Sequence, residues 1–348
     1  MRLVLTTAIM ILGLAAQGWA QPAISDISGT VEEGQAVTMV GVGFGSKVPA
    51  APLIWDDFQS GVPGTDIQGW RTYAPANEIQ YSSFSRYTGD VSIYQNFRDH
   101  YANALMVSPL PDFDKFYVTG WWYNQVGGAP SRNFKIINLS GGDSYGTATT
   151  PQNRSDVYPS QSSGHLYASN SDGDVAQGWE LGANIHSGEW MRLERFVDIP
   201  AGRTWIKRNL QMWADIEDAD FYSSSDRYNL LLITHYFAKD TGTPTPWMDS
   251  YWGELYIDTT PARVELGNAS TWDACTVREV QIPTAWAGEQ VSFTVHQGSF
   301  IPGQTAYLYV VNEDEEHNSN GFPVSIGSLV DPGPPTEPGT PMRNQRLP

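Results

Sequence analysis

The chain has 348 residues, a formal net charge of −18 and a single cysteine, Cys275. The acidity argues against nucleic acid and anionic membranes as partners, because phosphate binding needs clustered Lys and Arg. It also disfavours acidic polysaccharides unless a local basic patch overrides the total, and one cysteine excludes an intrachain disulfide and a Cys-based metal site.

Residues 1–20 read as a secretory signal. Arg2 supplies the positive start, residues 4–16 the apolar run, and Gly18-Trp19-Ala20 the small residues before a cut. The apolar run is too short for a comfortable membrane span, so the expected product is secreted, periplasmic or surface-exposed and not membrane-inserted. Thirteen Trp and seventeen Tyr, with abundant Gly and Pro and no long amphipathic helical pattern, predict an all-β fold.

Residues 23–47 hold a short strand, a turn at Glu33-Gly34, an alternating strand and the run Gly41-Val42-Gly43-Phe44-Gly45. This pattern resembles the opening of an IPT/TIG immunoglobulin-like domain. About 25 residues cannot close a sandwich. Residues 285–295 and 303–311 resemble the second half of the same family. The expectation is one discontinuous domain, 22–50 plus 272–327; the alternative is a separate C-terminal Ig-like domain with a free N-terminal strand.

The middle region, 53–270, carries strand signals at 92–97, 116–125, 133–139, 189–199, 204–207, 230–237, 251–258 and 262–266. Many strands at irregular spacing, joined by Gly- and Ser-rich loops, fit a jelly roll better than a barrel. The opening Trp55-Asp56-Asp57-Phe58 and the closing run from Trp252 to Asp258 resemble the concanavalin A-like lectin/glucanase class. That resemblance implies a jelly-roll β-sandwich whose first and last strands lie side by side. Long loops such as 140–178 are expected to cross the open side of the sheet. Residues 328–348 are a Pro-rich tail that cannot join a sheet.

Residues 116–125 are the stretch on which the functional reading turns. With a period of two, Phe116, Val118, Gly120 and Trp122 share one face, and Tyr117, Thr119, Trp121, Tyr123 and Gln125 the other. The same alternation in other strands selects Lys135, Trp190, Arg192, Glu194, His235, Trp252, Glu254 and Tyr256. If these faces coincide they form one concave, ring-lined surface, with aromatic rings stacking on sugars and polar groups orienting hydroxyls. The competing reading makes several of these Trp a core layer beneath loops.

Glycosidase chemistry needs two carboxylates about 5–9.5 Å apart. Glu254 and Asp258 lie about 13 Å apart on an extended strand, so the candidate catalytic pair is Glu194 with Glu254, on neighbouring strands. The Glu-x-Asp-x-x-Glu of laminarinase-like members is missing. Tyr123-Asn124-Gln125 resembles the Tyr-x-Gln segment of alginate-lyase jelly rolls, but the Arg-x-Glu-x-Arg signature of those enzymes is absent. No cofactor is expected. Residues 170–174 alternate oxygen-bearing side chains as calcium loops do, without the bidentate Glu. The sequence therefore predicts an exported protein recognising a polysaccharide, with a polysaccharide-degrading enzyme and a structural or adhesive surface protein as alternatives.

Overall fold

A computed structural model describes residues 21–73, 78–87, 90–97, 104–107, 114–127, 134–140, 154–159, 165–171, 176–184, 188–217, 219, 230–237 and 247–327. The expected signal segment, the Pro-rich tail and residues 172–174 of the calcium-like stretch lie outside them. The chain opens with β1 (Ala23–Ser28) and β2 (Ala36–Val42). The middle region supplies β3 (Ile54–Asp56), β4 (Arg71–Tyr73), β5 (Ile79–Ser82), β6 (Ser92–Phe97), β7 (Ala104–Val107), β8 (Lys115–Gly127) and β9 (Phe134–Ser140). It continues with β10 (Arg154–Pro159), β11 (His165–Ser171), β12 (Ala176–Asn184), β13 (Trp190–Asp198), β14 (Arg203–Arg208), β15 (Gln211–Ile216), β16 (Leu230–Phe237) and β17 (Trp247–Asp258). The last strands are β18 (Arg263–Gly267), β19 (Arg278–Ala287), β20 (Gln290–Thr294), β21 (Thr305–Val311) and β22 (Phe322–Ser325).

The larger body is a two-sheet antiparallel sandwich. One sheet runs β15-β14-β13-β8-β17-β6-β5, and the other β12-β11-β10-β9-β16-β7-β4. Their facing sides bury Phe116, Val118, Trp122, Met191, Leu193, Leu255 and Ile257 against Ile136, Ile137, Leu139, Leu231 and Ile233. β8 is the middle strand of its sheet, as its alternation requires. β3 pairs with β17, so the first and last strands of this body are neighbours, as the jelly-roll resemblance implied. Part of the 140–178 stretch corrects an expectation. β10 and β11, with β12 after them, form an antiparallel meander that extends the second sheet.

The smaller sandwich joins strands from either side of the middle region. β2 pairs with β20, and the order is β1-β2-β20-β19-β18-β21-β22. β19 changes layers along its length: Arg278 to Gln281 pair with β18, and Ile282 to Ala287 with β20. The sheet thus doubles over, packing Val37, Met39, Val291 and Phe293 with Val264, Leu266, Leu308 and Val310. An isolated β1–β2 hairpin would be marginal in water; the C-terminal strands supply its missing partners. Residues 262–266, expected in the middle region, belong here instead, because β18 pairs with β19 and β21.

At Gly120 β8 lies against β17 with no room for a side chain. A Cβ there would lie 2.4 Å from the Glu254 carbonyl oxygen and 3.0 Å from Leu255 Cδ2. Gly120→Ala is therefore expected to destabilise the fold by roughly 1–3 kcal/mol through overpacking, measured as a lowered urea midpoint.

Candidate functional site

The outer face of the β8 sheet is divided between two environments. Toward one end the small sandwich covers it. Tyr117, Phe196, Trp205 and Tyr256 are buried there with Val280 of β19, and Trp55 packs against them. Arg192 and Glu194, which alternation places beside Tyr117, meet Arg263, Glu265 and Arg278 of the small sandwich. Glu265 lies 2.7 Å from Arg192, 2.8 Å from Arg263 and 2.6 Å from Arg278. Glu194 lies 3.5 Å from Arg192 and 3.7 Å from Arg263, and accepts a 2.8 Å bond from the Tyr117 hydroxyl. Burial opposes ionisation of both carboxylates, but the Arg192 guanidinium, with Arg263 behind it, holds them below the usual carboxylate range.

Four predicted site residues thus belong to the joint between the bodies. Tyr117, Arg192, Glu194 and Tyr256 are all at most 2 % exposed. Glu194 is an ion-pair partner sealed beneath β18 and β19, not half of a catalytic pair in an open cleft. The Tyr256 hydroxyl donates to Asp258, which is also paired with Lys47 at 2.6 Å.

Trp252 corrects the alternation itself. The β8–β17 pairing slips by one residue between Trp252 and Glu254, with Gly253 as the extra residue of a bulge. Tyr251 and Glu254 therefore share the outer face with Tyr123 and Trp121, and Trp252 turns inward. It is fully buried 6.2 Å from Trp122, and its indole N–H donates to Thr234 Oγ1 at 2.8 Å. Lys135 and His235 are corrected too. Their strands, β9 and β16, lie in the opposite sheet, so they do not share the β8 face; their side chains lie outside those described.

The uncovered part of the β8 face carries two adjoining features. The first is a cluster of rings. Phe84 lies 4.8 Å from Tyr123, 4.7 Å from Tyr251 and 6.0 Å from Trp190, nearly parallel to the latter at 19°. Tyr123 and Trp190 are 5.6 Å apart, and Tyr94 stacks on Tyr251 at 4.9 Å. Phe84 is 43 % exposed and the other four rings are half-buried. Gln125 is exposed at the next outward position of β8.

The second feature is a cleft of about 450 Å³ at the edge of the joint, lined by Trp121, Gly253, Glu254 and His296 together with Asp57, Asp90, Glu33 and Arg86. Gly253 links the two features, since a Cβ on it would touch Trp190 at 3.6 Å and Trp121 at 3.7 Å. His296 Nε2 lies 2.9 Å from Glu254 and Nδ1 lies 3.7 Å from Glu33. Burial opposes its charged form, but Glu254 and then Glu33 raise its pKa well above the ordinary value of 6.5. The imidazolium thus ties β17 of the large sandwich to the Glu33 turn of the small one. Its stabilising contribution is complete below pH 6.5 and disappears as the pH rises through the raised folded value. His296→Gln is accordingly expected to flatten the alkaline decline of the unfolding midpoint, followed by circular dichroism across a pH series.

Trp121 lines the cleft but is only 9 % exposed, and one face of its ring is covered. The Arg86 guanidinium covers it 3.1 Å from the ring centroid. The Trp121 indole N–H, Arg86 and the Tyr87 hydroxyl all converge on the buried carboxylate of Glu279, at 3.1, 3.0 and 3.0 Å. That carboxylate pins the 84–87 segment, which presents Phe84 to the ring cluster and Arg86 to the cleft. Among the described residues no group of three His, Cys, Asp or Glu side chains is arranged to hold a metal ion.

No protein-family model matches the chain, and no curated protein matches it in sequence. Solved structures similar to it include an endo-β-1,4-glucuronan lyase from the fungus Trichoderma reesei, 11 % identical with a TM-score of 0.47 over 60 % of this chain and 96 % of that one. A Bacillus licheniformis β-glucanase is 9 % identical, with a TM-score of 0.39, over 59 % and 97 %. Domain 4 of a GH43 extracellular arabinanase from Geobacillus stearothermophilus, in complex with arabinotriose, is 10 % identical, with a TM-score of 0.35, over 68 % and 95 %.

Alternation thus found Trp121, Tyr123, Trp190 and Glu254, which meet around Gly253. It missed Tyr251, whose signal was the glycine inside the β17 pattern, a mark of a bulge. It also missed Phe84, Arg86, Asp90, Glu279 and His296. They reach the site from loops and from the other sandwich, where strand period carries no information.

Proposed function

We propose that this is an exported carbohydrate-recognition protein, a jelly roll inserted in an IPT/TIG-like sandwich. It takes a neutral glycan across the ring cluster and into the adjoining cleft. The observation that carries this reading is the continuity of the Phe84, Tyr123, Trp190 and Tyr251 rings with Glu254 and His296 across Gly253. Half-exposed rings offer apolar area to the C–H face of a sugar, and the carboxylates beside them accept hydrogen bonds from its hydroxyls. Glu33, Asp57, Asp90 and Glu254 outnumber Arg86 and His296 in the cleft, which disfavours uronates and sulfated sugars there. A glycan array, run beside reducing-sugar and 235-nm unsaturation assays, tests the reading. Binding of neutral glycans without product supports recognition, and no glycan bound at all overturns it.

One observation favours hydrolysis as a second reading. Burial, with Asp57, Glu33 and Glu254 adding to it against the opposing pull of His296, raises the Asp90 pKa above its ordinary value. In Glu33 burial acts the same way but is outweighed by bonds from His296 and the Gln297 backbone, which lower it. Carboxyls pushed apart within one cleft are the raw material of an acid and a base. Under this reading Asp90→Asn abolishes release of reducing ends while glycan affinity stays within about twofold; unchanged release removes Asp90 from the chemistry.

A further inference from the structure

A second cavity, of about 510 Å³, opens at the other side of the joint, between the β14–β15 hairpin and residues 272–278. Its chemistry is opposite to that of the first. Lys207, Asn209, Gln211, Thr276 and Arg278 face it, and among the described residues Asp273 is the one acid in its lining.

Lys207 is the anomaly. It sits on the covered face of the β8 sheet, paired in register with Glu194, yet no described carboxylate comes within ion-pair distance of its ammonium. Its one described contact is the Trp205 ring, 4.3 Å away. The carboxylates that could neutralise it are already engaged: Glu265 with Arg192, Arg263 and Arg278, and Glu194 with Arg192 and Arg263. Among the described residues of this network, four cations therefore share two carboxylates. Burial, with Arg263 and Arg278 nearby, lowers the Lys207 pKa against the pull of Glu194, as expected where positive charge is in surplus.

Buried charges in folded proteins are paired or neutralised. Lys207 is half-buried, and its ammonium, with no ion-pair partner among the described residues, borders an open cavity; the buried Arg278, its guanidinium 3.4 Å over the Trp272 ring, lines the same wall. We propose that this cavity binds a small oxyanion, the carboxylate or sulfate of an acidic sugar or a free inorganic anion, with the Lys207 ammonium as its principal ligand. The site supplies a local basic patch on an acidic chain, and it is separate from the ring cluster.

The test titrates the full chain with sodium glucuronate, sulfate and phosphate, each at ionic strength held constant with sodium chloride, and with glucose as the neutral control. The readout is thermal unfolding with calorimetry for affinity, since a ligand of the native state raises the midpoint in a saturable way. At least one anion is expected to bind the wild type saturably, with affinity at least tenfold weaker in Lys207→Met and unchanged in Trp190→Ala. A response to glucuronate alone assigns the anion to a carboxylated sugar, and responses to sulfate and phosphate assign it to a tetrahedral oxyanion. If Lys207→Met does not fold, the NMR signal of 13C-dimethylated Lys207 in the wild type serves instead, and its titration should move to higher pH when the anion is added. The proposal is overturned if no anion binds saturably, if Lys207→Met binds as well as the wild type, or if the Lys207 titration is unmoved.

Discussion

Replacing Glu265 by Gln is expected to cost about 3–5 kcal/mol of stability, the range for removing one partner of a buried ion pair. Glu265 is fully buried and is the one carboxylate shared by Arg192 of the large sandwich and Arg263 and Arg278 of the small one. Its loss leaves Arg192, Arg263 and Arg278 in the joint with Glu194 as the nearest remaining carboxylate among the described ion pairs. Asp215→Asn is the matched control. Asp215 holds Arg203 with two 2.8 Å bonds, but both side chains are about one-third exposed and Glu315 remains on Arg203 at 2.6 Å, so the loss is expected to be about 1 kcal/mol. Urea unfolding of both variants measures the difference. Similar losses in the two would mean that the buried network does not hold the sandwiches together.

The second large effect separates two tryptophans that strand alternation treats as equivalent. Trp190→Ala is expected to weaken glycan binding by about 2 kcal/mol or more, roughly 30-fold, as for an aromatic anchor, while changing stability little because the ring is half-buried. Trp252→Ala is expected to do the reverse. It empties a fully buried site in the core and removes the donor to Thr234, costing about 3–5 kcal/mol. Calorimetric titration beside urea unfolding of both variants reads the contrast. Loss of binding in Trp252→Ala at unchanged stability would invert the assignment of faces.

The same pair of residues shows where the sequence was legible. The period of two in 116–125 correctly separated Phe116, Val118 and Trp122 from Tyr117, Trp121 and Tyr123, because β8 is regular and flanked on both sides. In β17 the period breaks at Gly253, so Trp252 and Tyr251 exchange faces. A larger gap lies beyond any local pattern. Residues 117, 192, 194 and 256 read as a ligand face because polar and aromatic groups alternate there. Whether such a face meets a sugar or another sandwich depends on what docks on it. Here the covering layer comes from β18 and β19, remote in sequence from β8 and β13. The union of strands from either side of the middle region was readable only as a likeness of short segments, since the β2–β20 pairing spans more than two hundred residues.

A crystal structure of the protein with a neutral oligosaccharide selected by array tests the central claim most directly. The account predicts a sugar ring lying on Trp190 and Tyr251, with hydroxyls directed past Gly253 toward Glu254 and His296. A sugar seated instead on the opposite sheet, over β9 and β16, would contradict it.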